Sequence, residues 1–172
     1  MSVIIKNIEL DDASKIAKWK SDPILAKQIM SSYSVTNVNE AENWIKKNSR
    51  DEGQWLKGIY FKNKNSEELL GITRLMFIDN ISKNAEFGIY IGESKFQGMG
   101  IGKEVLDLTL KSGFIELDLE KIYLKVSESN TKAVNLYLKK NFIIEGCLKE
   151  HLYSSNGMKN ILCMALFKED YI

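Results

Sequence analysis

Apolar residues recur along the chain with two different periods, and their order predicts strands and helices in succession. Residues 3–8 form a short apolar run that reads as a first strand. Asp11 and Asp12 then offer capping oxygens for a helix whose buried stripe is Ala13, Ile16 and Ala17, and Pro23, the only proline, closes that helical region. Asn39 is placed to cap a second helix with Ala41, Trp44 and Ile45 on one face, running out at the turn Arg50-Asp51-Glu52-Gly53. The period then changes. Trp55, Lys57, Ile59 and Phe61 alternate with Leu56, Gly58, Tyr60 and Lys62, and a polar segment, 62–68, separates them from the apolar stretch 69–78, as in a hairpin. A second polar turn, 79–84, leads into a third strand of the same sheet over 85–91.

Val105, Leu106, Thr109, Leu110, Gly113, Phe114 and Leu117 follow at alternating steps of three and four, the spacing of a buried helix face. Residues 122–126 are a short β-rich run, Ser129 and Asn130 can cap a helix over about 131–140, and 142–167 reads as two long strands around Asn156-Gly157. The order β-α-α-β-β-β-α-β-α-β-β predicts an α/β fold with a mixed sheet carrying helices on its faces. No repeat, low-complexity tract or linker interrupts it.

Composition narrows the classes. With 172 residues, 44% hydrophobic and 27% charged, the expectation is a single domain, 1–172, and not a disordered, collagenous or disulfide-stapled chain. A formal net charge of +1 provides no field to hold a polyanion, so nucleic acid is not an expected partner. The first residues lack a basic stretch followed by a long apolar one, and no stretch is long enough to span a bilayer; no membrane partner is expected, and a cytoplasmic location is. One His and two unpaired-looking cysteines leave no metal site, and Cys147 and Cys163 are expected to be reduced. A two-residue turn at Asn156-Gly157 would set Cys147 opposite Leu166, away from Cys163.

Gly98, Gly100 and Gly102 lie between a strand and the start of a long helix, where backbone amides and the helix dipole favour a phosphate and glycine permits close approach. The segment lacks the Ser or Thr of a Walker loop after Lys103, and its glycine spacing is not G-x-G-x-x-G. Glycines serving packing alone are the competing reading. Gln97-Gly98-Met99-Gly100-Ile101-Gly102 resembles the Q/R-x-x-G-x-G/A pyrophosphate loop of the GNAT superfamily of acyl-CoA-dependent N-acetyltransferases. Asn130, Ala133, Leu136, Tyr137 and Phe142 resemble that family's N-x-x-A-x-x-L-Y-x-x-x-G-F signature, and Ala85-Glu86-Phe87-Gly88 resembles the strand before its cofactor loop. Asn141 stands where the family has Gly, a tolerable change because Asn enters the left-handed region more readily than other side chains.

The resemblance implies a splayed central strand pair, 87–91 and 122–126, with the pantetheine arm of acetyl-CoA bonded to strand backbone. It implies that the amides of Gln97, Gly98, Met99, Gly100, Ile101, Gly102 and Lys103 hold the pyrophosphate. Backbone at Ile89, Tyr90 and Ile91 would hold the pantetheine, with the Ile89 amide polarising the thioester carbonyl. Tyr137 would protonate the departing thiolate, and Asn130 and Lys132 would touch the cofactor. As structure alone, Tyr137 is a core aromatic, Asn130 a helix cap, and Lys132, Lys139 and Lys140 a solvated face. Glu86 is the candidate general base for an acceptor that arrives as an ammonium, against the plainer reading of a solvated strand carboxylate. His151 reads as an edge residue, and Trp19, Trp44 and Trp55 as core.

Together these readings predict acetyl transfer from acetyl-CoA to a primary amine by direct attack in a ternary complex. The expected acceptor is a small-molecule amine, an amino-sugar nucleotide or a polyamine. A ribosomal-protein-type N-terminal acetyltransferase and a non-catalytic acyl-CoA-binding module remain the alternatives, and a homodimer is an open assembly state.

Overall fold

The computed structural model describes residues 2–22, 37–63, 66–96, 98–154 and 156–171. Two compact units make up the chain, the first from Met1–Met76 and Gly88–Thr109, the second from Phe77–Phe87 and Leu110–Ile172. The strands pair in the order β1-β2-β3-β4-β5-β7-β6 when numbered along the chain, so the predicted mixed α/β class is the observed one.

In the first unit, β1 (Ser2–Lys6) pairs antiparallel with β2 (Trp55–Lys62), and β2 with β3 (Glu67–Asp79). Helix α1 (Ala13–Lys20) and helix α2 (Val38–Asn48) bury Ala13, Ile16, Ala17, Trp19, Ala41 and Ile45 against Leu56, Tyr60, Leu69 and Ile72 of β2 and β3. A separate cluster joins Val3, Ile59 and Leu70 to Ile101 and Val105 of helix α3 (Ile101–Lys111). The two clusters take alternate residues of β2, and the β2–β3 register slip between Ile59 and Tyr60, which pair with Gly71 and Leu69 and leave Leu70 as an extra residue, lets Leu69 and Ile72 share one cluster while Leu70 joins the other.

Three expectations for this unit need correction. The first strand ends at Lys6, and Ile8, predicted within it, lies in the connection, still buried. A short 3₁₀ turn, Leu10–Asp12, precedes α1, where Asp12 accepts the Glu9 amide at 3.0 Å. Helix α2 is capped by Asn37, whose side chain accepts the Glu40 amide at 3.0 Å, while Asn39 lies inside the helix. Pro23 lies outside the described residues.

The second unit holds the beginning of β4 (Asn84–Ile91), β5 (Lys121–Ser127), helix α4 (Thr131–Lys139), β6 (Ile143–Ser154), β7 (Gly157–Phe167) and a terminal turn, α5 (Lys168–Tyr171), which the hydrophobic pattern does not announce. Asn84, Ala85 and Glu86 pair parallel with Lys121, Ile122 and Tyr123; β5 and β6 both pair antiparallel with β7. Leu110 and Phe114 are fully buried as predicted, but Ser112–Glu116 winds as a π-turn that ends the α3 stripe. Asn141 has φ 65°, the left-handed conformation expected there.

The cysteine register differs from prediction. The β6–β7 ladder closes at Ser154↔Gly157 and slips twice, between Leu148 and Leu152 and between Ile144 and Gly146. Cys147 therefore lies opposite Leu162, and Cys163 opposite Gly146, which turns the two thiols to opposite faces and leaves both free. Among the described residues no helix is long and apolar enough to cross a membrane, and no group of three or more His, Cys, Asp or Glu side chains could hold a metal.

Candidate functional site

The predicted site residues divide between the two units. In the first, the end of β4 is fixed by its neighbours in β3. The amides of Gly92 and Glu93 both donate to the carbonyl of Leu70, the extra residue of the bulge, at 2.8 and 3.3 Å. Gly71 makes this approach possible: a Cβ there would lie 2.1 Å from the Tyr90 carbonyl oxygen. A Cβ on Gly92 would meet the Trp19 indole at 2.2 Å, and that indole donates its Nε1–H to Glu93 at 3.2 Å and meets Tyr90 edge-on at 6.0 Å. Ile89 and Ile91 pack on the cluster that includes Ile101 and Val105, and Tyr90 packs on the opposite one with Trp19. Trp19 is thus a core residue, as expected, that also holds the segment leading into the glycine loop. Its role was missed because tryptophan burial is readable from periodicity but its partner is not.

The glycine loop has the form a phosphate cradle needs. Gly98 and Gly100 both have φ +82°, and a Cβ on Gly98, Gly100 or Gly102 would meet no protein atom within 4 Å. Protein packing therefore does not account for these glycines, whereas the left-handed turn accounts for Gly98 and Gly100. The amides of Lys103 and Glu104 turn onto the Gly100 carbonyl at 3.0 and 3.3 Å, starting α3. Ile101 is buried and anchors the loop, whereas Met99 and Lys103 are exposed. Backbone amides at a helix start with open space above them suit an anion. Gln97 lies outside the described residues.

In the second unit, Tyr137 sits on the buried face of α4 with its ring edge-on to Phe87 at 6.2 Å and tilted against Phe142 at 5.5 Å. Burial pushes its phenol up to about 12, so it stays protonated at neutral pH and is available as a proton donor. Asn130 caps α4, its side chain accepting the Ala133 amide at 3.3 Å, and Lys132 is exposed two residues on. Glu86 follows Ala85 and precedes Phe87 on β4, so its carboxylate points to the strand face away from Phe87 and Tyr137. There it lies 3.4 Å from the Lys125 ammonium, with its own side chain only 14% exposed. Tyr123, opposite Glu86 in the parallel register, has its phenol raised by burial and then by the Glu86 charge. Tyr123 and Lys125 were missed because only the β4–β5 register brings them to Glu86. His151 is exposed, consistent with an edge residue.

Residues 2–143 match the acetyltransferase (GNAT) domain family model. The spermidine N(1)-acetyltransferase of Escherichia coli K12 is 32% identical over 105 residues, which are 61% of this chain and 56% of that one; the chain spans little more than half the length of that relative. The Vibrio cholerae spermidine N-acetyltransferase, solved in complex with CoA and spermine, superposes with a TM-score of 0.88 at 25% identity, covering 98% of this chain and 97% of the other. A dodecameric structure of the Vibrio cholerae enzyme in an intermediate state gives a TM-score of 0.83 at 26% identity over 99% and 96% of the two chains. The loop with two left-handed glycines, the capped α4 carrying a buried, protonated Tyr137, and a family match over most of its length lead to one conclusion: this chain belongs to the GNAT acetyltransferase family.

Proposed function

We propose that this protein transfers the acetyl group of acetyl-CoA to a primary amine of a polyamine. The observation that carries the chemistry is Tyr137, a buried phenol held protonated on the face of α4 and braced by Phe87 and Phe142. The polyamine acceptor is supported by the spermidine acetyltransferases that this chain resembles.

In this reading the loop amides from Gly98 to Gly102 bind the pyrophosphate, together with Gln97 and beside Lys103, whose own amide turns onto the Gly100 carbonyl, and the strand backbone at Ile89, Tyr90 and Ile91 aligns the pantetheine. Asn130 and Lys132 lie at the start of α4, where they meet the cofactor's polar end. The acceptor ammonium loses a proton to Glu86, directly or through water, and the free amine attacks the thioester carbonyl, whose oxygen is polarised by the Ile89 amide. The attacking nitrogen releases its surplus proton to water, the C–S bond breaks, the CoA thiolate takes its proton from Tyr137, and solvent restores the phenol. Glu86 points away from the face of β4 on which Phe87 meets Tyr137 of α4, so the base and the acid stay apart. Self-association belongs to the same reading, supported by the dodecameric relative.

The test is an acceptor screen with acetyl-CoA, reading released thiol. Spermidine and spermine should be acetylated in preference to an amino-sugar nucleotide or a peptide N-terminus. Acetyl-CoA binding without turnover on any of them would favour the non-catalytic module.

A further inference from the structure

The Glu86 carboxylate is recessed, 14% exposed, while the Lys125 side chain that meets it is 44% exposed and comes from the neighbouring parallel strand. Lys125 lies two residues beyond Tyr123, on the same face of β5, so its ammonium reaches Glu86 diagonally across the pair. The carboxylate is therefore met by a half-exposed cation on a four-carbon stem, with Tyr123 opposite it on the neighbouring strand. An amine acceptor brings a group of the same charge, size and hydrogen-bonding capacity. Lys125 holds Oε2 of Glu86, a second ammonium beside it meets a like charge, and the Lys125 stem is long enough to swing its head into water without moving the strand.

We propose that Lys125 is a resident placeholder for the acceptor ammonium: it holds Glu86 before the acceptor arrives, and the acceptor must displace it. This rests on the reading of Glu86 as the acceptor-facing base. It makes Lys125 a specificity-determining residue, because a neutral or weakly cationic ligand cannot exchange for the lysine at Glu86, whereas a polyamine can. The displaced pair is partly solvated, so its loss on acceptor binding is a modest penalty.

The experiment is a double-mutant cycle on Glu86 and Lys125 with spermidine as acceptor, each variant checked by circular dichroism and by its acetyl-CoA affinity. Lys125→Met should lower the spermidine KM by roughly 2- to 5-fold, the range of a partly exposed ion pair, and leave acetyl-CoA affinity in place. Lys125→Arg, which keeps a cation there, should retain most of the parent KM. In a Glu86→Gln background, Lys125→Met should give no gain. A KM that stays or rises in Lys125→Met, or an equal gain without Glu86, overturns the placeholder. Separately, Glu86→Gln with unchanged kcat/KM removes the base reading itself, so the two failures are distinguishable.

Discussion

Gly100→Ala asks whether the loop conformation is built for a ligand. At φ +82° an alanine Cβ is strained by about 1–2 kcal/mol, although no protein atom lies within 4 Å of it. The strain can be relieved only by turning the Gly100 peptide, whose carbonyl accepts the Lys103 and Glu104 amides that begin α3. Two consequences follow. Global stability should fall by no more than that strain, a melting shift on the order of 2–8 °C for a chain of this size. To the extent that the free loop relaxes and so spares the fold, acetyl-CoA affinity should fall by up to the same free energy, as much as about 5- to 30-fold, because the ligand must restore the strained loop before its pyrophosphate can meet the amides. Gly102→Ala serves as the internal control. Gly102 shows no positive φ and lies in the first turn of α3 with open space around it, so alanine there should leave stability equal or raise it by about 0.5–1 kcal/mol. Thermal melts with and without acetyl-CoA, and calorimetric titration of each variant, provide the assay. A Gly100→Ala protein that melts with the parent, so that its loop has relaxed, and still binds acetyl-CoA within twofold of the parent would refute the assignment of this loop to the pyrophosphate.

Tyr137→Phe keeps both ring contacts and removes only the phenolic proton, so acetyl-CoA affinity should persist while kcat falls by about 10²- to 10⁴-fold in a thiol-release assay; an unchanged kcat returns Tyr137 to the core. Thr109 donates to the Val105 carbonyl at 2.8 Å and meets the Thr73 hydroxyl at 2.9 Å, both threonines being fully buried. Thr109→Val should therefore cost about 1–3 kcal/mol in urea unfolding by stranding Thr73, and Thr73→Val in the same chain should recover part of it. Lys20 is pushed down to about 7, first by burial and then by the Arg74 charge, with its ammonium 3.4 Å over the Trp44 ring. Between that value and its ordinary 10.5 the unfolded chain binds a proton that the native chain has released. Stability should therefore rise with pH through that window, and Lys20→Met should flatten the rise in urea midpoints measured across it.

The sequence by itself determined what depends on local period and on single-residue backbone preference. The stripes Ala13, Ile16, Ala17 and Val105, Leu106, Leu110 had the spacing of buried helix faces, Asn130 was a residue able to cap a helix, and Asn141 was the side chain best able to take the left-handed turn after α4. The glycine loop and the Asn130-to-Phe142 signature are likewise contiguous in sequence, which is why the family was legible before any fold. What only the tertiary structure decided involves pairing between distant segments. The slip at Leu70 creates the carbonyl that holds Gly92 and Glu93, and the turn closing at Ser154↔Gly157 together with the slip between Leu148 and Leu152 moved Cys147 from Leu166 to Leu162. Neither has a composition signal, because a bulge is chosen by how two strands fit together. Asn37 won the cap from Asn39 because helix entry is set by where the chain arrives as well as by residue type. Glu86 could be singled out as an acid flanked by apolar residues, but its partner could not. Lys125 lies 39 positions later, and only the parallel register of two strands placed its ammonium on that carboxylate.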